Sequence, residues 1–161
     1  MAVQLAKHDD CKVTGVDSVE KLDQMKSIGF DFVPDYKKTD FTKSGEAYDL
    51  ILDCKTNQNA WSYLRVLKPK GIYVTIGGKP TGLLNIFFFG KIISGLSSKK
   101  LRILSLKPNR DLEYFLELFN QNRIKVNIDG PSSFEDIPRL IQYFGEGKHN
   151  GKIVIRTGRF G

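Results

Sequence analysis

YDLILDCKTNQNAWSYLRVLKPKGIYVTIGG, residues 48–78, decides the fold. Tyr48 to Leu52 is an apolar run interrupted only by Asp49, without strict alternation, as expected of a strand covered on both faces. Ala60 to Leu67 follows with Trp61, Leu64 and Leu67 at helical spacing, and closes at Lys68-Pro69-Lys70-Gly71. Ile72 to Ile76 is a second strand-like run, stopped by Gly77-Gly78. Strand, helix and strand in this order form a βαβ unit, whose right-handed crossover makes its strands parallel.

The same alternation extends both ways. Downstream, the apolar segment Leu83 to Leu96 reads as a helix and Leu101 to Leu106 as a strand. Leu112 to Phe119 is a helix with Leu112, Phe115, Leu116 and Phe119 on one face. Upstream, KVTGV (12–16) is a strand ending in Asp17, and Val19 to Ile28 is a helix stopped by Gly29. Phe30 to Val33 is a short strand before Pro34. Met1 to Lys7 has the spacing of the second half of an amphipathic helix, with no start signal before it. After Asn120 the rhythm changes to Ile124–Ile128, a Pro-Ser turn, a helix over Ile137–Phe144 and a strand over Lys152–Ile155. The predicted class is α/β: a doubly wound parallel sheet over residues 1–122, with a C-terminal β-α-β appendage over 123–161.

Composition narrows the function. No apolar stretch is long enough to span a bilayer, and no secretory leader pattern opens the chain, so no membrane partner is expected. Two cysteines, Cys11 and Cys54, give no disulfide framework and fit a reducing, cytoplasmic setting. The net charge of +7 comes from lysines and arginines spaced in ones and twos, without interleaved aromatics. That pattern favours a solvated surface over a nucleic-acid site.

In an open parallel sheet, ligands bind beyond the carboxyl ends of the strands. Three sets of residues fall there. Asp17 ends the first strand, where an acidic residue can accept hydrogen bonds from an adenosine ribose; a turn or cap role ahead of Ser18 weighs equally. Asp53-Cys54 ends YDLIL, and Gly77-Gly78 ends IYVTI. Glycines there let the backbone approach a flat ligand, although for Gly78 alone a plain left-handed turn is the simpler reading. The phosphate-binding G-x-G-x-x-G occurs nowhere in the chain.

The ordered series AVQLAK, VTGVDS, KLDQMKSIGFDFVPDY, YDLILD, LKPKGIYVTIGG, LKPN and HNGKIVI resembles the medium-chain dehydrogenase/reductase superfamily, nearest its zinc-independent quinone-oxidoreductase-like branch. The resemblance implies a Rossmann-like sheet lacking its first strand. It also implies that the N-terminal catalytic domain and the glycine-rich loop would precede Met1, with 123–161 returning to that domain. The implied reaction is hydride transfer between a nicotinamide cofactor, NAD or NADP, and a small carbonyl, enone or quinone. Carried over residue by residue, Asp17 and Ser18 would meet the ribose and Tyr36 the adenosine 2′-phosphate. Asp53 and Cys54 would lie along the cofactor, and Ile76, Gly77 and Gly78 would approach its nicotinamide half. A carboxylate at Asp17 and Glu20 in place of the lysine of NADPH-using relatives favour NAD; Tyr36 argues for NADP. No catalytic residue is carried over.

His8-Asp9-Asp10-Cys11 holds ligand-type side chains, but consecutive residues cannot converge on one ion, so no metal is expected. His149, in GKHNGK, reads as a turn residue, and Cys54 as a small neighbour of the groove rather than a reactive thiol. GLLNIFFFGKIISGL (82–96) is apolar all round. In the resembled family this region helps roof the substrate site; here it also predicts self-association, giving a homodimer. The expected function is an oxidoreductase of which this chain alone is not competent; the alternative is a non-enzymatic remnant acting as a binding or self-association module.

Overall fold

Residues 1–105, 107 and 110–158 are described by the structure, a computed structural model. In chain order they form α1 (Ala2–His8), α2 (Leu22–Ser27), β1 (Tyr48–Asp53), α3 (Ala60–Arg65), β2 (Leu67–Thr75), α4 (Pro80–Leu96), β3 (Lys100–Ile103), α5 (Leu112–Asn120), β4 (Ile128–Ser133), α6 (Ile137–Gly145) and β5 (Lys152–Arg156). They pack as two units, Tyr36–Arg110 and Met1–Asp35 with Asp111–Gly161. The sequence division at 122 follows a different line.

In unit Tyr36–Arg110, β1, β2 and β3 form one parallel sheet in that order. Ile51, Tyr73 and Leu101 lie opposite one another across the three strands. Because side chains alternate along a strand, this row faces one side of the sheet. There it is buried with Ala60, Tyr63 and Val66, and with Ile86 and Ile93 of α4. Gly90 lets α4 lie close on β3, since a Cβ there would sit 3.1 Å from the Leu101 carbonyl oxygen. The other face is open: Leu50 is 62% and Leu52 49% exposed, so β1 is not covered on both faces as its sequence suggests. α3 and α4 supply apolar cover to the Ile51 side.

The helix–strand boundary also moved. Leu67 opens β2 rather than closing α3, and the register jumps from Tyr48↔Leu67 to Leu50↔Ile72. The Lys68-Pro69-Lys70-Gly71 punctuation is therefore an irregularity within β2, with Lys70 at φ +63°. Trp61 does not share a buried face with Leu67; it is 54% exposed, and Ala60, Ser62 and Tyr63 are the buried residues of α3. The strand predicted over 101–106 covers Lys100–Ile103; Leu106, and Pro108 and Asn109 of the LKPN motif, lie outside the described residues.

In the other unit, the two predicted strands at 12–16 and 30–33 meet only as parallel bridges, Thr14↔Phe32 and Asp17↔Asp35. Pro34 falls between them without an N–H to donate, and the ladder breaks there. The 19–28 helix is a 3₁₀ turn over Val19–Lys21 followed by α2. Lys7 pairs with Asp31 at 2.9 Å, and the same carboxylate accepts the Val13 amide at 2.7 Å. Gln4 grips both backbone groups of Lys125, donating to its carbonyl at 3.1 Å and accepting its amide at 2.7 Å. The His8 Nε2–H donates to the Arg123 carbonyl at 2.7 Å.

The appendage is β-α-β, with β4 and β5 parallel and α6 between them. Its first strand lies over Ile128–Ser133, later than Ile124–Ile128, and includes the Pro-Ser pair. The apolar face predicted for α5 exists, but Leu112 and Phe119 remain about half exposed. With Phe115, Leu116, Ile124 and Val126 they line a hollow of about 310 Å³.

Candidate functional site

The C-terminal edge of β1 and β2 gathers Asp53, Cys54, Ile76, Gly77 and Gly78, because Asp53 lies opposite Thr75 in the ladder. The Asp53 carbonyl accepts the Ile76 amide at 2.9 Å, carrying the pairing one residue past β2. Of the predicted residues, these five share one edge. Tyr36 belongs to the same unit and is 54% exposed. Asp17 and Ser18 belong to the other unit, where the Asp17 Oδ1 accepts the Ser18 amide at 2.8 Å. That bond serves the turn locally and leaves the Asp17 Oδ2 outside it.

The Asp53 carboxylate is turned inward. Its Oδ2 accepts the Tyr63 hydroxyl at 2.6 Å and the Tyr73 hydroxyl at 2.9 Å. Its Oδ1 accepts the amides of Lys55 at 2.8 Å and Thr56 at 3.1 Å. Burial alone would raise its pKa. The Tyr63 hydroxyl, the two amides and the Tyr73 hydroxyl outweigh that and hold the carboxyl below its usual value. Burial, reinforced by its hydrogen bond to Asp53, pushes the Tyr63 hydroxyl well above an ordinary phenol; burial foremost raises Tyr73 to about 12. The two rings stack with centroids 4.1 Å apart, and both residues have no exposed surface.

A second polar cluster fixes the facing loop. The buried hydroxyls of Thr56 and Thr75 touch each other, and both lie within hydrogen-bonding distance of the Gly77 carbonyl, at 2.6 and 2.8 Å. Gly78 stands at φ +139°, where a Cβ would meet the Lys55 carbonyl oxygen at 2.3 Å. Gly78 is therefore glycine because two loops touch, whatever ligand the edge holds. At Gly77 a Cβ would meet only the Cys54 carbonyl, at an ordinary 3.6 Å. Gly78→Ala is expected to lower the urea unfolding free energy by about 1–3 kcal/mol while Gly77→Ala stays near wild type. Equal midpoints for the two variants would refute this account of the loop.

Burial, and after it the Asp53 charge, raises the Cys54 thiol pKa, which disfavours the thiolate although the residue is exposed. Among the described residues, no three His, Cys, Asp or Glu side chains are grouped to hold a metal ion. Tyr63, Tyr73, Thr56 and Thr75 escaped the sequence reading. A tyrosine in the middle of a buried strand was the available signal, because a buried hydroxyl demands a partner.

A parallel sheet with glycine-bearing loops at its carboxyl ends is the open α/β arrangement in which ligands bind beyond the strand ends. A family profile described as zinc-binding dehydrogenase matches residues 28–155, and the chain belongs to that family, within the medium-chain dehydrogenase/reductases. A zinc-type alcohol dehydrogenase-like protein of Schizosaccharomyces pombe is 29% identical over 97% of this chain and 48% of its own length. A chloroplastic quinone-oxidoreductase of Triphysaria versicolor is 28% identical over 96% of this chain and 47% of its own. The chain spans about half the length of the curated relatives it matches. In fold it is similar to the quinone oxidoreductase of Coxiella burnetii, with a TM-score of 0.76 at 18% identity, covering 98% of this chain and 48% of that one. Among the described residues the donor set does not fit the zinc of the family's description.

Proposed function

We propose that this chain is the cofactor-side part of an NAD(P)H-dependent oxidoreductase acting on a small carbonyl, enone or quinone. The observation that carries the proposal is the family match over residues 28–155, together with the strand-end edge built around Gly77. Residues 1–122 are the remainder of the dinucleotide domain, and 123–161 the segment that returns to the catalytic domain. The bound nicotinamide would supply or accept the hydride. Ile76, Gly77 and Gly78 offer an edge without bulky polar groups to its ring. By the family resemblance Asp17 and Ser18 would meet the ribose and Tyr36 the adenosine 2′-phosphate, with Cys54 along the cofactor. The Asp53 carboxylate holds the 54–58 loop from within, so its service to the cofactor is to shape the edge. The setting is cytoplasmic, which suits two free, exposed cysteines.

Calorimetric titration of the folded chain with NADH and NADPH tests this. NADH is expected to bind, and NADPH about tenfold more weakly, because the Asp17 carboxylate repels a 2′-phosphate; Asp17→Ser should close the gap. No quinone or enone turnover is expected from the chain by itself. The second reading, a non-enzymatic remnant, is favoured by the internal engagement of both Asp53 oxygens. Absence of heat with either dinucleotide, from a sample with intact far-UV circular dichroism, would establish that reading instead.

A further inference from the structure

The positive charge of this protein is concentrated in a way that its spacing conceals. Residues 54–110 carry eleven lysines and arginines and no aspartate or glutamate. The remainder of the chain is net acidic, so the whole excess of +7 arises in this stretch.

α4 lies inside it. Ile86, Gly90 and Ile93 form its buried row. On the opposite side Leu84, Phe88, Ile92 and Leu96 succeed one another at four-residue spacing, and they are 54, 63, 53 and 85% exposed. A surface helix of a soluble domain carries polar residues on that side. The sole charged residue of α4 is the exposed Lys91, whose ammonium sits 5.7 Å from the Phe87 ring centroid. Trp61 of α3 extends the apolar surface, with its ring 6.4 Å from that of Phe89. Arg65 follows it one helical turn later, and Lys79 and Lys100 flank the two ends of α4, all three exposed.

We propose that this face is a peripheral membrane-binding surface. α4 lies in the plane of an anionic bilayer, with Leu84, Phe88, Ile92 and Leu96 among the upper acyl chains and the surrounding cations against the headgroups. Exposed Leu and Phe, an adjacent Trp and flanking lysines are the combination that interfacial helices use. Spanning is excluded by length and by Lys91 near mid-helix: 17 residues cover about 25 Å, and no described helix is long and apolar enough to cross. The charge selects the occupant. A second copy of the same face would bring like charge against like charge. A nucleic acid would satisfy the lysines but leave the leucines and phenylalanines in water. An anionic lipid surface meets both needs, and it replaces the expectation of no membrane partner, which rested on spanning segments alone.

Flotation of the full chain with vesicles tests the proposal. At low salt, binding to phosphatidylcholine vesicles holding about one third phosphatidylserine should be at least about tenfold tighter than to phosphatidylcholine alone, and should weaken in about 0.5 M NaCl. Trp61, the one tryptophan of the chain, reports insertion as a blue shift of its emission. Phe88→Glu with Ile92→Glu should abolish both signals. If that variant loses its circular dichroism, Lys91→Glu and the wild-type salt series decide. No flotation with anionic vesicles overturns the proposal. So does equal flotation with neutral ones, a concentration-dependent dimer without vesicle binding, or retardation of RNA in place of vesicle binding.

Discussion

Tyr63→Ala is expected to reduce the unfolding free energy by about 3–5 kcal/mol, the cost of deleting a fully buried aromatic ring. The residue has no exposed surface, stacks on Tyr73, and gives its hydroxyl proton to Asp53 at 2.6 Å. Tyr63→Phe separates the ring from the hydroxyl. It keeps the stack, removes one of four donors to Asp53, and should cost only about 1–2 kcal/mol. The hydroxyl also accepts the Gln58 amide at 3.1 Å, so the Phe variant should speed amide exchange at Lys55, Thr56 and Gln58. The ladder amides of β1 and β2 should stay protected. If Phe costs as much as Ala, or if exchange in the loop is unchanged, the ring and not the hydroxyl network holds this edge.

Asp53→Ala is the second large effect, about 3 kcal/mol or more, because it strands two buried tyrosine hydroxyls and two loop amides at once. Its pH dependence gives a sharper check. The folded-state pKa of Asp53 lies below the ordinary carboxyl value of about 3.9, so its stabilisation is fully present above about pH 4. It is lost as pH falls through the depressed folded value. The tyrosines act at the other end. Both folded pKa values are raised, so their contribution is complete below about pH 10 and erodes as pH climbs from there through the value near 12 of Tyr73. Wild-type stability should therefore fall on both sides. Asp53→Ala should flatten the acid limb, and Tyr63→Phe with Tyr73→Phe the alkaline one. An acid limb unchanged in Asp53→Ala would assign the acid transition to other carboxylates, such as Asp31 beside Lys7. Since Asp53, Tyr63 and Tyr73 share atoms, their single costs will not add.

Local pattern made much of this fold legible. YDLIL and IYVT announced β1 and the second half of β2, because short apolar runs between turn residues have few alternatives. The 83–96 helix, α6 and β5 were equally plain, whereas the strand read at Ile124–Ile128 lies over Ile128–Ser133. What pattern could not supply were relations set by distant residues. KPKG reads as a stop signal, yet pairing with Tyr48 and Leu50 absorbs it inside a strand. Trp61 seemed inward on spacing alone, but the large buried side chain of α3 is Tyr63, whose hydroxyl finds Asp53. The position of Asp53 at a strand end was legible. Its inward turn was not, since that depends on two tyrosines ten and twenty residues away. The charge asymmetry of 54–110 was present in the sequence too, but it acquires meaning only once α4 is seen to turn leucine and phenylalanine outward beside it.

The unit that joins Met1–Asp35 to Asp111–Gly161 is discontinuous along the chain, whereas Tyr36–Arg110 is an unbroken insertion within it. On a ribosome the two halves of this arrangement become available at different times. Every contact of the β1–β2–β3 sheet is available once residue 110 has emerged. α1 meanwhile has nothing to receive Gln4 and His8, whose backbone partners at Lys125 and Arg123 are made later. The partners of Gln4 and His8 thus lie more than a hundred residues along the chain, beyond the whole of the Tyr36–Arg110 unit.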